Sequence, residues 1–129
     1  MAIPFPSAGP VSHHKEDELR WSKSERAIAR KAFDHALNQE LQEVIRQAKQ
    51  TAAEIKESSE VWELEEYLTK RRKEIDRKYE YRASKLNFVF GTLLHEGRLA
   101  EHDLRGLRED KLEAIRSYAD FLAKVDVDE

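Results

Sequence analysis

From Lys23 to Lys56 the chain runs without a glycine or a proline. Along it Phe33, Leu37, Leu41, Val44, Ala48, Ala52 and Ile55 recur at steps of four, four, three, four, four and three. A strand would alternate every second residue, so this spacing demands a helix with one apolar stripe. The steps make an eleven-residue repeat, and the stripe runs nearly straight instead of winding left-handed as heptads do. A helix of about 35 residues is ~50 Å long. That exceeds the width of a compact domain of 129 residues, so something outside the monomer is expected to cover part of the stripe.

The boundaries of this helix are written locally. Ser22, with Glu25 three residues on, has the form of a capping box, in which each side chain satisfies a backbone N–H left unpaired by the first turn. Glu57-Ser58-Ser59-Glu60 breaks the pattern with hydroxyls suited to capping and acids suited to a helix N-terminus. A second helix is expected from there through about Tyr81, forming an antiparallel hairpin with the first. Its apolar stripe is Val61, Leu64, Leu68, Ile75 and Tyr79. Trp62 falls roughly 130° from the centre of that stripe, among Glu65, Glu66, Thr69, Lys73 and Asp76.

Beyond the hairpin, LNFVFGTLL at 86–94 is the most apolar window. No second strand candidate exists to pair with it, so it reads as a buried helix that ends near Gly97 in a left-handed cap. A short helical turn follows within 99–107, and Asp110 is placed to cap a last helix carrying Leu112, Ile115, Tyr118, Phe121 and Leu122. The expected organisation is all-α. A disordered tail spans 1–19 and one helical domain spans 20–123, divided into a stalk (20–82) and a small head (83–123). The acidic end, 124–129, is expected to fray.

Composition excludes several classes of function. Charged residues make up 38% of the chain and the net charge is −3, so no nucleic-acid or acidic-membrane partner is expected. No cysteine is present, which removes disulfides, thiolate metal sites and cysteine nucleophiles. No run reaches membrane-span length and no signal-peptide core follows Met1, so a cytoplasmic protein is expected. Phosphate-cradling glycine loops, nucleophile elbows and HExxH are absent. His13-His14 and the pair His95 and His102 are the candidate metal-binding histidines, and ordinary surface histidines account for them as well. Catalysis and a cofactor are not expected.

Lys70-Arg71-Arg72-Lys73 reads as a solvated helix surface with i,i+4 pairs such as Glu66–Lys70, because acids are interleaved with it. Trp62 either packs within the hairpin or a dimer, or anchors an interface, since tryptophan and arginine are enriched at binding hot spots. Arg72 lies about 20° from Glu65 on the same winding. Together Trp62, Glu65, Glu66 and Arg72 form a candidate recognition patch.

At these residues the sequence resembles the fluorescence recovery protein family. VWELEEYLTKRRKEIDRKYEYR, NFVFGTLLHEGRL and LRGLREDKLEAI carry the resemblance, which reaches back to Trp21-Ser22 and covers roughly residues 20–118. It implies an all-helical homodimer whose stalks pair across a two-fold axis, and the stripe residues Leu41, Val44, Val61, Leu64 and Leu68 are then expected at the dimer interface. It also implies a non-enzymatic regulator that binds the photoactivated orange carotenoid protein, helps detach it from the phycobilisome, and speeds its red-to-orange return. The family's patch of tryptophan, histidine, aspartate and arginine falls on Trp62, Glu65, Glu66 and Arg72. The resemblance assigns Phe88 to partner contact, and a lysine used by some members aligns with Ala114. The alternative it leaves open is a fluorescence-recovery-like scaffold from a bacterium without phycobilisomes, acting on another protein client.

Overall fold

A computed structural model describes residues 21–128. The expected tail and its histidine pair lie outside the described residues. Four α-helices follow in order: α1 (Lys23–Ala53), α2 (Ser58–Lys78), α3 (Leu86–His95) and α4 (Glu109–Asp128), with a 3₁₀ turn at Glu101–Leu104 before the last. Among the described residues there is no strand.

The capping box at the start of α1 is formed. Ser22 Oγ accepts from the Glu25 N–H at 3.1 Å, and Glu25 Oε1 accepts from the Ser22 N–H at 3.0 Å. α1 stops at Ala53, three residues short of the expected Lys56. The N–H groups of Lys56 and Glu57 both turn to the Glu60 carboxylate, at 2.7 and 2.6 Å, and so leave the helical ladder. Glu60 thus performs the capping expected of Ser58 and Ser59, and Glu57 is the N-cap of α2.

The first two helices form an antiparallel hairpin. Residues ascending α2 and the segment just beyond it meet residues descending α1: Arg71 and Lys78 reach Glu40, Tyr79 and Tyr81 pack edge-on against Phe33, and the Arg30 guanidinium lies 3.8 Å from the Tyr81 ring centroid. α2 ends at Lys78 rather than near Tyr81, because Tyr79 leaves helical geometry with its ring turned onto Phe33 and its hydroxyl on Glu40.

The core gathers at one end of the hairpin. Phe90, Leu93, Leu104 and Ile115 are fully buried, and Ala29, Ala32 and Ala36 offer α1 as a small-residue face to them. Trp21 and Phe33 complete the same cluster. Apolar packing therefore crosses the division expected at residue 83. α3 and α4 make the most extensive helix contact, and Gly91 is where they approach: a Cβ there would lie 2.8 Å from Tyr118 Cδ2.

Gly97 ends α3 in the left-handed region at φ 77°. The Arg98 N–H reaches back to the Leu93 carbonyl at 2.9 Å and the Gly97 N–H to that of Leu94 at 3.1 Å, the paired bonds of a Schellman motif. α4 starts at Glu109, one residue before the expected cap Asp110. The reason is tertiary, since the Arg108 N–H donates to Glu25 Oε2 at 2.8 Å. α4 continues to Asp128 where fraying was expected, and Asp126 Oδ2 lies 2.6 Å from His95 Nε2.

Candidate functional site

The patch on α2 is open to solvent. Trp62 is 65% exposed, and Glu65, Glu66 and Arg72 are exposed beside it. Helical geometry sets Glu65 and Glu66 one turn after Trp62, and Arg72 two turns after Glu65. Among the described residues, no hydrogen bond or ion pair engages the side chains of Glu65, Glu66 or Arg72. The pair expected between Glu66 and Lys70 is not formed. Glu65, Glu66, Thr69, Lys70 and Lys73 instead border a shallow depression of about 460 Å³.

Around Trp62 the apolar stripe is itself uncovered. Leu41, Val61 and Leu68 are exposed, while Val44 and Leu64 are half-buried. Ile45 joins the exposed set. Distal to Glu40, the stalk thus carries a run of unsatisfied apolar side chains with charged neighbours.

The adjacent arginines of the basic run part company. Arg72 faces water; Arg71 turns inward and donates to Glu40 Oε2 at 2.8 Å. Glu40 is 0% exposed and gathers further partners from separate elements. Lys78 Nζ lies 3.0 Å from Oε2, the Tyr79 hydroxyl donates to Oε1 at 2.8 Å, and Arg98 Nε lies 3.3 Å from Oε1. Burial alone would raise the Glu40 pKa. The bonds from Lys78, Arg71 and Tyr79 outweigh it and hold the carboxyl below its usual range. Burial and the neighbouring Glu40 charge push the Tyr79 phenol well up, so it stays a donor. Arg98 extends the network to Glu43 at 2.8 Å and Glu96 at 2.9 Å.

This clamp ties α1, α2 and the C-cap of α3 into one joint, and sequence reasoning missed it. The signal was an acid on the core-facing stripe: Glu40 lies four residues after Ala36 and four before Val44. An ionisable residue on an apolar face requires a buried partner.

Phe88 is 51% exposed, at the rim of the head. Its ring packs edge-on against Tyr118 at 5.0 Å between centroids, and Tyr118 stacks on the exposed Phe121 at 6.0 Å. It also borders a cleft of about 750 Å³ between α2 and α3. Ala114 is exposed on α4. The candidate histidines have separate partners. His95 meets Asp126, and His102 Nε2 lies 3.4 Å from Asp103 Oδ1. Among the described residues no cluster of three or more His, Cys, Asp or Glu side chains is arranged to hold a metal ion. No helix there is long and apolar enough to cross a membrane.

The model of the family described as photoprotection regulator fluorescence recovery protein matches residues 21–119. The chain belongs to that family. It is 34% identical to the fluorescence recovery protein of Synechocystis sp. over 102 residues, covering 79% of this chain and 94% of the relative. The solved fluorescence recovery protein of Fremyella diplosiphon aligns with a TM-score of 0.73 at 39% identity, covering 77% of this chain and 97% of that one. The solved Synechocystis protein gives 0.74 at 34% identity, with the same coverage of 77% and 97%. Family and fold together support a role as a photoprotection regulator.

Proposed function

We propose that this chain is a cytoplasmic, dimeric, non-enzymatic regulator that binds a photoactivated orange carotenoid protein, aids its detachment from the phycobilisome and accelerates its red-to-orange return. The observation that carries this reading is the α2 patch. A mostly exposed tryptophan stands among two carboxylates and an arginine whose side chains have no partner among the described residues. Exposed tryptophan and arginine are the side chains that most often anchor protein interfaces. Such a regulator acts by differential affinity, binding the compact or transitional form of its client more tightly than the open one.

Dimerisation is part of the proposal. Leu41, Val61 and Leu68 leave an apolar strip on the stalk that a second stalk would cover, with Val44 and Leu64 behind it. Trp62 then stands at the edge of the paired stalks, free to meet a client.

The test is a dark-recovery time course of a photoactivated orange carotenoid protein with this protein at equal concentration. Acceleration is expected, and Arg72→Ala should abolish it while leaving helicity and dimer mass unchanged. An intact dimer that leaves the recovery rate unaltered would refute the assignment. It would favour a different protein client on the same scaffold, consistent with Glu65 standing where family members carry histidine.

A further inference from the structure

The cleft between α2 and α3 is lined by the Glu40 clamp and by one aromatic ring, that of the half-exposed Phe88. Its acids are already engaged. Glu40 holds Arg71 and Lys78, Glu74 lies 2.7 Å from Arg71, Glu80 lies 2.7 Å from Arg82, and Glu96 lies 2.8 Å from Lys78. Arg77 and Lys85 also line the cleft, and both are exposed. Neither side chain has a hydrogen bond or ion pair among the described residues. Phe88 and Val89 line the cleft one helical turn after Lys85, the N-cap of α3, with the Thr92 hydroxyl fixed on the Phe88 carbonyl at 2.9 Å.

We propose that this cleft is a docking site for a carboxylate-bearing segment of the client protein, with Arg77 and Lys85 taking the acid and Phe88 packing on an adjacent apolar side chain. The inference rests on the client-binding reading above and adds a second contact to it, at the joint. Arginine presents a planar fork that matches a carboxylate, and lysine adds a point charge. The aromatic ring excludes water beside them, which strengthens the ionic contact. A nucleic-acid backbone fits poorly, because four glutamates line the same walls. A second copy of this chain is not the occupant either, since the uncovered dimer strip lies distally on the stalk, at Leu41, Val61 and Leu68.

The probe is an acetylated, amidated pentapeptide of sequence Glu-Glu-Leu-Glu-Glu, titrated into the full ¹⁵N-labelled chain. Saturable amide shifts are expected at Lys85, Val89 and Thr92, and the glutamine version of the peptide should produce none. The variant Arg77→Glu with Lys85→Glu should bind at least about tenfold more weakly, while Arg77→Lys with Lys85→Arg should retain binding. Shifts centred elsewhere, or equal affinity in the charge-reversed variant, overturn the proposal. The same variants in the recovery assay separate the two readings. Peptide bound in the cleft by a chain that leaves carotenoid-protein recovery unchanged refutes that client and keeps the acidic-segment site. Full acceleration by the charge-reversed variant refutes the cleft contact alone.

Discussion

Glu40→Gln is the substitution that most directly tests the joint between stalk and head. It keeps the shape of the side chain but removes its charge, leaving Arg71, Lys78 and Arg98 facing one another around a neutral amide. Removing one partner of a buried ion pair costs about 3–5 kcal/mol, because the remaining charge is stranded. Here the cations retain 14–21% of their side-chain exposure and so keep some contact with water. The lower end, ~3 kcal/mol, is the appropriate figure. For a domain of this size, at ~4 °C per kcal/mol, that lowers the melting temperature by ~12 °C, or the urea midpoint by ~1.5 M at a slope of ~2 kcal/mol/M. Protein concentration is held fixed, because dimerisation shifts apparent stability by mass action.

The pH dependence sharpens the test. The Glu40 pKa is lowered in the folded state, so its contribution is fully present above the unfolded value of about 4.3 and is lost as pH falls through the folded value. The stability gap between the parent and Glu40→Gln should be complete at neutral pH and close in acid. Glu43→Gln is the control: Glu43 is half-exposed and among the described residues meets only Arg98, so its loss should stay within about 0.5 kcal/mol. If the two variants melted alike, or if the gap persisted unchanged in acid, the clamp would not hold the joint as described.

Gly91→Ala should lower the melting temperature. The new methyl meets Tyr118 at 2.8 Å and the Ile115 carbonyl at 3.1 Å, and overpacking of about 1–3 kcal/mol exceeds the ~1 kcal/mol that alanine gains in a helix. Gly97→Ala has open space around the added methyl but a φ of 77°, so calorimetry should show a purely backbone cost of about 1 kcal/mol. Val61→Glu should convert the expected dimer to monomer in sedimentation velocity with circular dichroism unchanged, since it places a carboxylate on the uncovered strip; an unchanged dimer rules out the stalk pairing proposed above.

Features set by neighbouring residues were legible in the sequence. The capping box at Ser22 and Glu25, the left-handed Gly97 and the apolar window at 86–94 all stand where local chemistry put them. Those that depend on distant residues were not. α4 begins at Glu109 because the Arg108 N–H is claimed by Glu25, on a helix more than eighty residues earlier. The basic run gave no hint that Arg71 turns inward to Glu40 while Arg72 faces water, because the ~100° between successive helical residues matters only once Glu40 is known to face α2. Val125-Asp126-Val127 lacks an apolar stripe to hold it, yet His95 meets Asp126 and the helix continues. The candidate patch was half legible: winding the sequence placed Trp62 outside, but that its charged neighbours lack partners among the described residues depends on where the other helices lie.

The two ends of the molecule are finished to different degrees, and the difference bears on how a regulator of the proposed kind would work. Around the joint, every lining glutamate has a cation and the core is closed by Phe90, Leu93, Leu104 and Ile115. On α2, the side chains of Trp62, Glu65, Glu66 and Arg72 are exposed and without a partner among the described residues. A binding protein that shifts its client's equilibrium must contribute differential affinity between client forms, and contacts that yield as the client changes shape contribute little. A stiff joint prevents such yielding. With stalk and head held at one angle, only a client whose surfaces match both Trp62 and Phe88 can engage both at once, and the second contact then forms at high effective concentration. Loosening the joint through Glu40→Gln should therefore weaken regulation more than either local contact explains, even at temperatures where the variant remains folded.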